Sequence, residues 1–375
     1  MPKKILILSV NFGQGHMSAA KAIQQAINQL YPADYAVEVV DFVQFSNSLF
    51  NTITQKTYNR VSSSSPTIWK ILFKGTNRDL SMKVLNQLNT PFFVRKLTHL
   101  FTEKKPDIVI STFPVMDPIA RKILKKINKN LKFISVITDS ILVHKAWIMA
   151  KPDFHIVANQ ETANTLSKEL GIQKTKIKTL GFPVKLDFLQ PTNREEFLKN
   201  LGLKPENFTL LFLPTAQKNK KNIQFMQQIM SMKKPLNCII ITGRDPKIKP
   251  SLEKFLKRNA NPNIQTQIIG WTDHMPEFIK AADLVITKAG GATVMECIAA
   301  QKPMIITSYI PGQEEGNVLL IERHKIGIID GSSEKLNENI ELIQKNYRHF
   351  QGNLQKISHP DAALKIARFI AKMLE

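Results

Sequence analysis

Apolar and polar positions follow two rhythms along this chain. Short apolar runs rich in Ile, Val and Leu are separated by longer stretches in which apolar residues return every three or four positions. In the first half the short runs predict strands at Lys4–Val10, Ala36–Phe42, Asp107–Thr112, Lys132–Thr138, Phe154–Ala158 and Ile177–Gly181. In the second half they fall at Thr209–Pro214, Asn237–Thr242, Thr266–Gly270, Leu284–Thr287, Met304–Thr307 and Ile326–Ile329. Strands alternating with helices specify parallel sheets with crossover helices, so two sets predict an α/β protein with two Rossmann-like domains. Gly181-Phe182-Pro183-Val184, followed by Pro191, interrupts the rhythm and reads as the linker. The expected division is 1–185, 186–355, and a last helical segment, 356–375, returning to the first domain.

One stretch departs from this alternation. Between Val43 and Lys105 there is no strand pattern, only short helical patches. Ser65-Pro66 supplies an N-cap and a first-turn proline for the patch Ile68 to Lys74. The insertion carries ten Lys or Arg against two acidic residues and is rich in Phe, Leu and Trp. Trp69, Lys70, Phe73 and Lys74 therefore suit the interface of an anionic bilayer, while a solvated basic face on a helical subdomain explains them as simply.

Composition narrows the class. With 375 residues the chain is long enough for two α/β domains, and 43% hydrophobic with 22% charged residues is the balance of a folded protein. The two cysteines, Cys238 and Cys297, each sit in an apolar run, which predicts reduced core thiols rather than a disulfide or zinc site. No apolar segment reaches the ~18–20 residues of a membrane span, and the apolar run after Lys4 is too short for a signal peptide. A cytoplasmic protein, peripheral on the inner face of the membrane, is expected. The net charge of +22 favours an anionic partner: nucleic acid, membrane or phosphorylated substrate. No nucleic-acid motif accompanies it, so nucleic acid is not expected.

Three motifs carry chemistry. Asn11-Phe12-Gly13-Gln14-Gly15-His16 follows the first strand and opens a helix, a glycine turn whose free N–H groups suit an anion or oxyanion. The positive end of the helix dipole disfavours an imidazolium, keeping His16 neutral and able to accept a proton. As Gly-x-Gly-x-x-Ser, with Asp41 ending the next strand, the motif is also an incomplete dinucleotide fingerprint, which makes a dehydrogenase the first rival. Thr138-Asp139 ends another strand and is followed by His144 and Trp147; Asp139 is placed to orient a base, contact an acceptor or cap the next helix. Densest of all is Lys288-Ala289-Gly290-Gly291-Ala292-Thr293 with Glu296, followed by Pro311-Gly312-Gln313-Glu314-Glu315-Gly316-Asn317. Two glycines between strand and helix form a cradle for a diphosphate, and Glu296 is spaced to accept from ribose hydroxyls.

These residues, with Gly-Phe-Pro at the linker, resemble glycosyltransferase family 28, within it the monogalactosyldiacylglycerol synthase and processive diacylglycerol glucosyltransferase branch. The resemblance spans nearly the whole chain in order. It implies a GT-B fold, two Rossmann-like domains facing each other across a cleft. It also implies inverting transfer of a hexose from UDP-glucose or UDP-galactose to a lipid hydroxyl, diacylglycerol first, at an anionic membrane surface. A peptidoglycan-type N-acetylglucosaminyltransferase and a non-catalytic nucleotide- or lipid-binding module are the alternatives.

By position, Gly290, Gly291, Ala292 and Thr293 face the diphosphate, Glu296 the ribose, and Gln313, Glu314 and Asn317 the donor sugar. Gly270, Trp271 and Met275 border the uracil, and Arg244 assists the departing UDP. His16 corresponds to the base, with Asp139 beside it; Gly15, His144 and Trp147 lie on the acceptor side. No Asp-x-Asp pair occurs, so neither a metal nor another cofactor is expected. One departure stands out: Leu213 to Lys221, after the first strand of the second domain, holds lysines where the family has glycine.

Overall fold

The structure, a computed structural model, describes residues 2–11, 15–42, 91–216 and 218–375. The chain divides into two compact units. Unit 1 comprises Met1–Leu186, Ile310–Gly316 and His359–Glu375; unit 2 comprises Asp187–Tyr309 and Asn317–Ser358. All twelve expected strands are present, their ends within two residues of the sequence pattern. Trp69, Lys70, Phe73 and Lys74 lie outside the described residues.

In unit 1 the strands are β1 (Lys3–Ser9), β2 (Tyr35–Asp41), β3 (Ile108–Ser111), β4 (Lys132–Val136), β5 (Phe154–Val157) and β6 (Ile177–Thr179), ordered β2-β1-β3-β4-β5-β6 and all parallel. Because side chains alternate across a strand, the sheet buries two faces. On one face Ile5, Ile7, Ile108, Ile110 and Ile134 pack against α1 (Gly15–Leu30) and α14 (Ala362–Leu374). Alanines at 20, 22, 26, 363 and 367 let these helices approach closely. On the other face Leu6, Leu8, Val109 and Phe133 meet α2 (Pro91–Lys104) and α3 (Asp117–Ile127). Gly181 of the Gly-Phe-Pro stretch has φ 97°, and a Cβ there would stand 2.6 Å from the Ala362 Cβ at the start of α14. Both the backbone and the space require glycine.

Between β4 and β5 lies the short α4 (Ala146–Met149), and after β5 comes α5 (Gln160–Asn164), N-capped by Asn159, whose Oδ1 accepts the Thr162 N–H at 2.8 Å.

Unit 2 begins with α6 (Arg194–Asn200). Its sheet contains β7 (Phe208–Phe212), β8 (Leu236–Ile241), β9 (Ile264–Ile269), β10 (Leu284–Lys288), β11 (Met304–Ser308) and β12 (Gly327–Ile329), ordered β12-β11-β10-β7-β8-β9. The helices α7 (Asn219–Met230), α8 (Ile248–Asn259), α9 (Met275–Ala281), α10 (Gly291–Ala299), α11 (Glu315–His324), α12 (Leu336–Lys345) and α13 (Tyr347–Ile357) follow in order. The boundary between the units falls within α11, after Gly316. Cys238 and Cys297 are both fully buried and unbridged, as the sequence pattern requires. Among the described residues no helix is long and apolar enough to cross a membrane.

Candidate active site

Each sheet has a point where the direction of winding reverses, and open α/β sheets bind ligands outside the strand carboxyl ends at that point. In unit 1 the reversal falls between β1 and β3, and His16 sits there, in the first turn of α1. Its Nδ1 lies 2.8 Å from the Thr112 carbonyl oxygen and 2.9 Å from the Thr138 hydroxyl. A carbonyl oxygen only accepts, so Nδ1 carries the hydrogen and Nε2 keeps its lone pair. The Thr112 hydroxyl fixes the same turn from behind, donating to Ser9 Oγ at 2.9 Å and lying 3.1 Å from the His16 carbonyl. The ring meets Phe113 edge-on, with centroids 5.2 Å apart, and lies 6.3 Å from the Trp147 ring. Desolvation pulls its pKa down to about 4, against a smaller raising effect of the Thr112 carbonyl. His16 is therefore neutral at physiological pH.

Asp139 stands behind this group. Its Oδ2 accepts the Trp147 indole N–H at 2.8 Å and the His144 N–H at 3.3 Å, while burial pushes its pKa up to about 6. Asp139 thus reaches the base through the fully buried Trp147 rather than directly. The His16 Nδ1–H is met instead by the Thr112 carbonyl and the Thr138 hydroxyl; Thr138 belongs to the second sequence motif, and Thr112 to none of the three. His144 turns its Nδ1 to the Ala146 N–H at 3.2 Å, opening α4. Asp41, at the end of β2, accepts the Asn11 N–H at 3.3 Å and so ties the loop after β1 to the neighbouring strand.

In unit 2 the reversal falls between β7 and β10. There Gly290 is the N-cap of α10, in extended conformation and without a capping side chain. The first helical hydrogen bond runs from Val294 N–H to the Gly290 carbonyl at 3.0 Å, so the N–H groups of Gly291, Ala292 and Thr293 precede the helical ladder. No acidic residue lies in this first turn, leaving the positive end of the helix open to an anion. Glu296, half-buried, lies further along the same helix. Asn317 donates to the Ala289 carbonyl at 2.9 Å and is buried, so it pins the loop that presents the glycines.

Beside it, after β7, the glycine-free loop is held by the buried Asn222. Its side chain accepts the Thr215 N–H at 3.0 Å and donates to the Thr215 carbonyl at 2.9 Å. The Thr215 hydroxyl reaches Ser308 Oγ at 3.3 Å, joining the loops after β7 and β11. Lys218, Lys220 and Lys221 gather at the start of α7, whose first turn holds no acidic residue, with Asp330 partly offsetting the charge at Lys221. Burial, then the neighbouring Lys218, hold the Lys221 ammonium below the usual lysine range.

At the β8 and β9 ends, the Arg244 guanidinium stacks 4.5 Å above the ring of Trp271, which is 44% exposed. Gly270 has open space beside it, and Met275 opens α9.

Gln313 and Glu314 have a different setting from the one expected. Their segment, Ile310–Gly316, groups with unit 1, the unit of His16, and not with the glycines of α10. Glu314 is buried and closes its own turn: its Oε2 accepts the Ile310 N–H at 2.8 Å, and its N–H donates to the Ile310 carbonyl at 2.9 Å.

Two Rossmann-like units, a neutral histidine at one reversal point and an uncapped helix terminus at the other define a glycosyltransferase of the GT-B class. Solved structures share the architecture. MurG of Acinetobacter baumannii superposes with a TM-score of 0.66 at 13% identity, over 99% of this chain and 100% of that one. HepE of Anabaena, solved with UDP, superposes with a TM-score of 0.58 at 15% identity over 99% of each chain.

Residues 16–184 match the family model of monogalactosyldiacylglycerol (MGDG) synthase, and residues 214–372 match the glycosyltransferase family 28 C-terminal domain. The chain belongs to glycosyltransferase family 28. It is 26% identical over 358 residues to a processive diacylglycerol beta-glucosyltransferase of Bacillus licheniformis, covering 95% of this chain and 91% of that protein. A protein of the same description from Staphylococcus aureus is 29% identical over 334 residues, covering 89% of this chain and 82% of the other.

Proposed function

We propose that this protein transfers glucose from UDP-glucose to the hydroxyl of diacylglycerol, with inversion at the anomeric carbon. The observation that carries the reading is the tautomer of His16: Nδ1 is committed to Thr112 and Thr138, which leaves Nε2 unprotonated as a general base. The lipid hydroxyl attacks the anomeric carbon as Nε2 takes its proton, the bond to the UDP oxygen breaks, and UDP departs. The two curated relatives described above are named for diacylglycerol and a β-glucosyl product, which favours glucose over galactose and diacylglycerol over other lipid hydroxyls.

The departing diphosphate gains negative charge, and fixed N–H dipoles of Gly291, Ala292 and Thr293 stabilise it without reorganising. Lys218, Lys220 and Lys221 take the place of a second glycine loop and add positive charge. Trp271 with Arg244, Gly270 and Met275 borders the uracil; Glu296 takes the ribose; Gln313, with Glu314 holding its loop, takes the sugar. Asp139 keeps Trp147 in place beside the base, and Gly15, His144 and Trp147 border the acceptor. No step of this scheme calls on a metal. The net charge of +22 suits an anionic membrane surface, the inner face of the cell membrane, where the lipid acceptor resides.

The test is UDP release from UDP-glucose and, in parallel, UDP-galactose, with and without diacylglycerol in anionic vesicles. Release that depends on diacylglycerol and prefers UDP-glucose is expected. UDP binding without turnover would leave a binding module. NADH binding in place of UDP binding would revive the dehydrogenase reading.

A further inference from the structure

The loop between β4 and α4 carries both Thr138 and Asp139, and its backbone is folded unusually. The Leu142 N–H donates to the Ser140 carbonyl at 2.5 Å, closing a three-residue turn around Ile141 at φ 56°. A β-branched residue with positive φ is a conformational outlier, and such turns persist only where the surroundings impose them.

Two contacts within unit 1 impose this one. On one side the Ile141 N–H donates to Thr162 Oγ1 at 2.9 Å, and the Thr162 hydroxyl donates in turn to Asn159 Oδ1 at 2.9 Å. On the other side lies Gly316, at the end of the Ile310–Gly316 segment that belongs to the same unit. A Cβ at 316 would fall on the Ser140 carbonyl oxygen, with the Ser140 carbonyl carbon at 3.0 Å and Leu142 N at 3.1 Å. These are rigid backbone atoms, so any side chain at 316 forces the turn or the segment to move.

We propose that Gly316 and Thr162 are positioning residues of the transfer reaction, clamping the Ser140–Leu142 turn so that Thr138 and Asp139 hold His16 and Trp147 in register. This rests on the glycosyltransferase reading above. Among the described residues, the groups facing His16 are the Thr112 carbonyl, the Thr138 hydroxyl and the Phe113 and Trp147 rings, with Asp139 behind Trp147. Only Thr138, Asp139 and Trp147 follow the clamped turn or flank it; Thr112 and Phe113 belong to the β3 end and stay. Because Gln313 lies three residues before Gly316, the same clamp links the seating of the donor sugar to the base. A UDP-sugar that orders Ile310–Gly316 therefore orders the partner of His16 Nδ1 as well.

The experiment compares wild type with Gly316→Ala, Thr162→Val and Thr162→Ser, by steady-state kinetics and by 15N NMR of the His16 imidazole. A misplacement of about 1 Å costs roughly a hundredfold in rate, so Gly316→Ala is expected to lower kcat by that order while KM for the UDP-sugar stays within about threefold. In the same variant the His16 Nδ1–H, still held by the Thr112 carbonyl, should shift in resonance as the Thr138 hydroxyl and the Trp147 ring move, and the ring should titrate closer to ordinary imidazole. Thr162→Val should share the spectral change with a smaller loss of kcat, and Thr162→Ser, which keeps the hydroxyl, should restore both.

Wild-type kcat and an unchanged His16 spectrum in Gly316→Ala would overturn the proposal. Raised KM with unchanged His16 signals would do so too, by making Gly316 a donor-loop residue only. Should Gly316→Ala fail to fold, the Thr162 pair decides alone. Should the wild type show no transfer at all, the proposed function falls while the spectra still decide the clamp.

Discussion

At the scale of single residues, the chemistry rests on one nitrogen of one imidazole. His16→Ala is expected to abolish glucose transfer while UDP affinity, measured by calorimetry, stays within about threefold, since a general base contributes a factor of ~10²–10⁴ to the rate and nothing to donor binding. Thr138→Val removes one of the two Nδ1 partners and should lower kcat about tenfold by loosening ring orientation. Burial lowers the His16 pKa to about 4, so the acid limb of the kcat/KM profile should lie near pH 4 and not near 6.5. The same shift fixes a stability sign. Between about pH 4 and 6.5 the unfolded chain binds a proton at His16 that the folded chain refuses, so stability is lost as pH falls through that window. His16→Gln should flatten this part of the unfolding curve. The place of His16 in the first turn of α1 was legible in the sequence, because it follows a glycine turn directly after the first strand. Its partners were not. Thr112 and Thr138 lie 96 and 122 positions away in the chain, and nothing local marks a threonine as the partner of a distant ring.

At the scale of elements, the strands and crossover helices were legible from the apolar rhythm alone, because both faces of each parallel sheet must be covered. The α10 terminus was equally legible from Gly290-Gly291. Gly291→Asp would place a negative charge at its positive end and should weaken UDP binding about tenfold or more, read by calorimetry. A different acid is misplaced in a useful way. Asp117, in the first turn of α3, is buried, and the Ser111 Oγ that would ease its ionisation is shared with the Phe113 backbone. Burial pushes its pKa up to about 8. Above the ordinary carboxylate range the unfolded chain ionises where the folded chain resists, so this group costs stability as pH rises from about 4 to 8. Asp117→Asn should therefore stabilise the fold more at pH 8 than at pH 5, by an amount on the order of 1 kcal/mol or more in unfolding free energy, read by denaturant titration at the two pH values. The setting of Ile310–Gly316 escaped the sequence for a topological reason. Its motif follows β11 directly, yet it groups with the first sheet's unit, and strand order cannot announce that.

At the scale of the whole molecule, family membership and the excess of 22 positive charges fit a catalyst that meets a lipid at an anionic surface. Binding to vesicles containing anionic lipid should weaken steeply between about 50 and 500 mM salt, since surface charges are screened within a Debye length of ~10 Å at 0.1 M. Neutral vesicles should bind poorly at any salt. The central claim is transfer of glucose to diacylglycerol with inversion at the cost of one proton passed to His16. Its most direct test is the anomeric configuration of the lipid product, read by proton NMR after incubation with UDP-glucose and diacylglycerol vesicles. A β-glucosyl diacylglycerol, formed by the wild type and absent with His16→Ala, is the expected result; an α-linked product, or equal product from the variant, would contradict it.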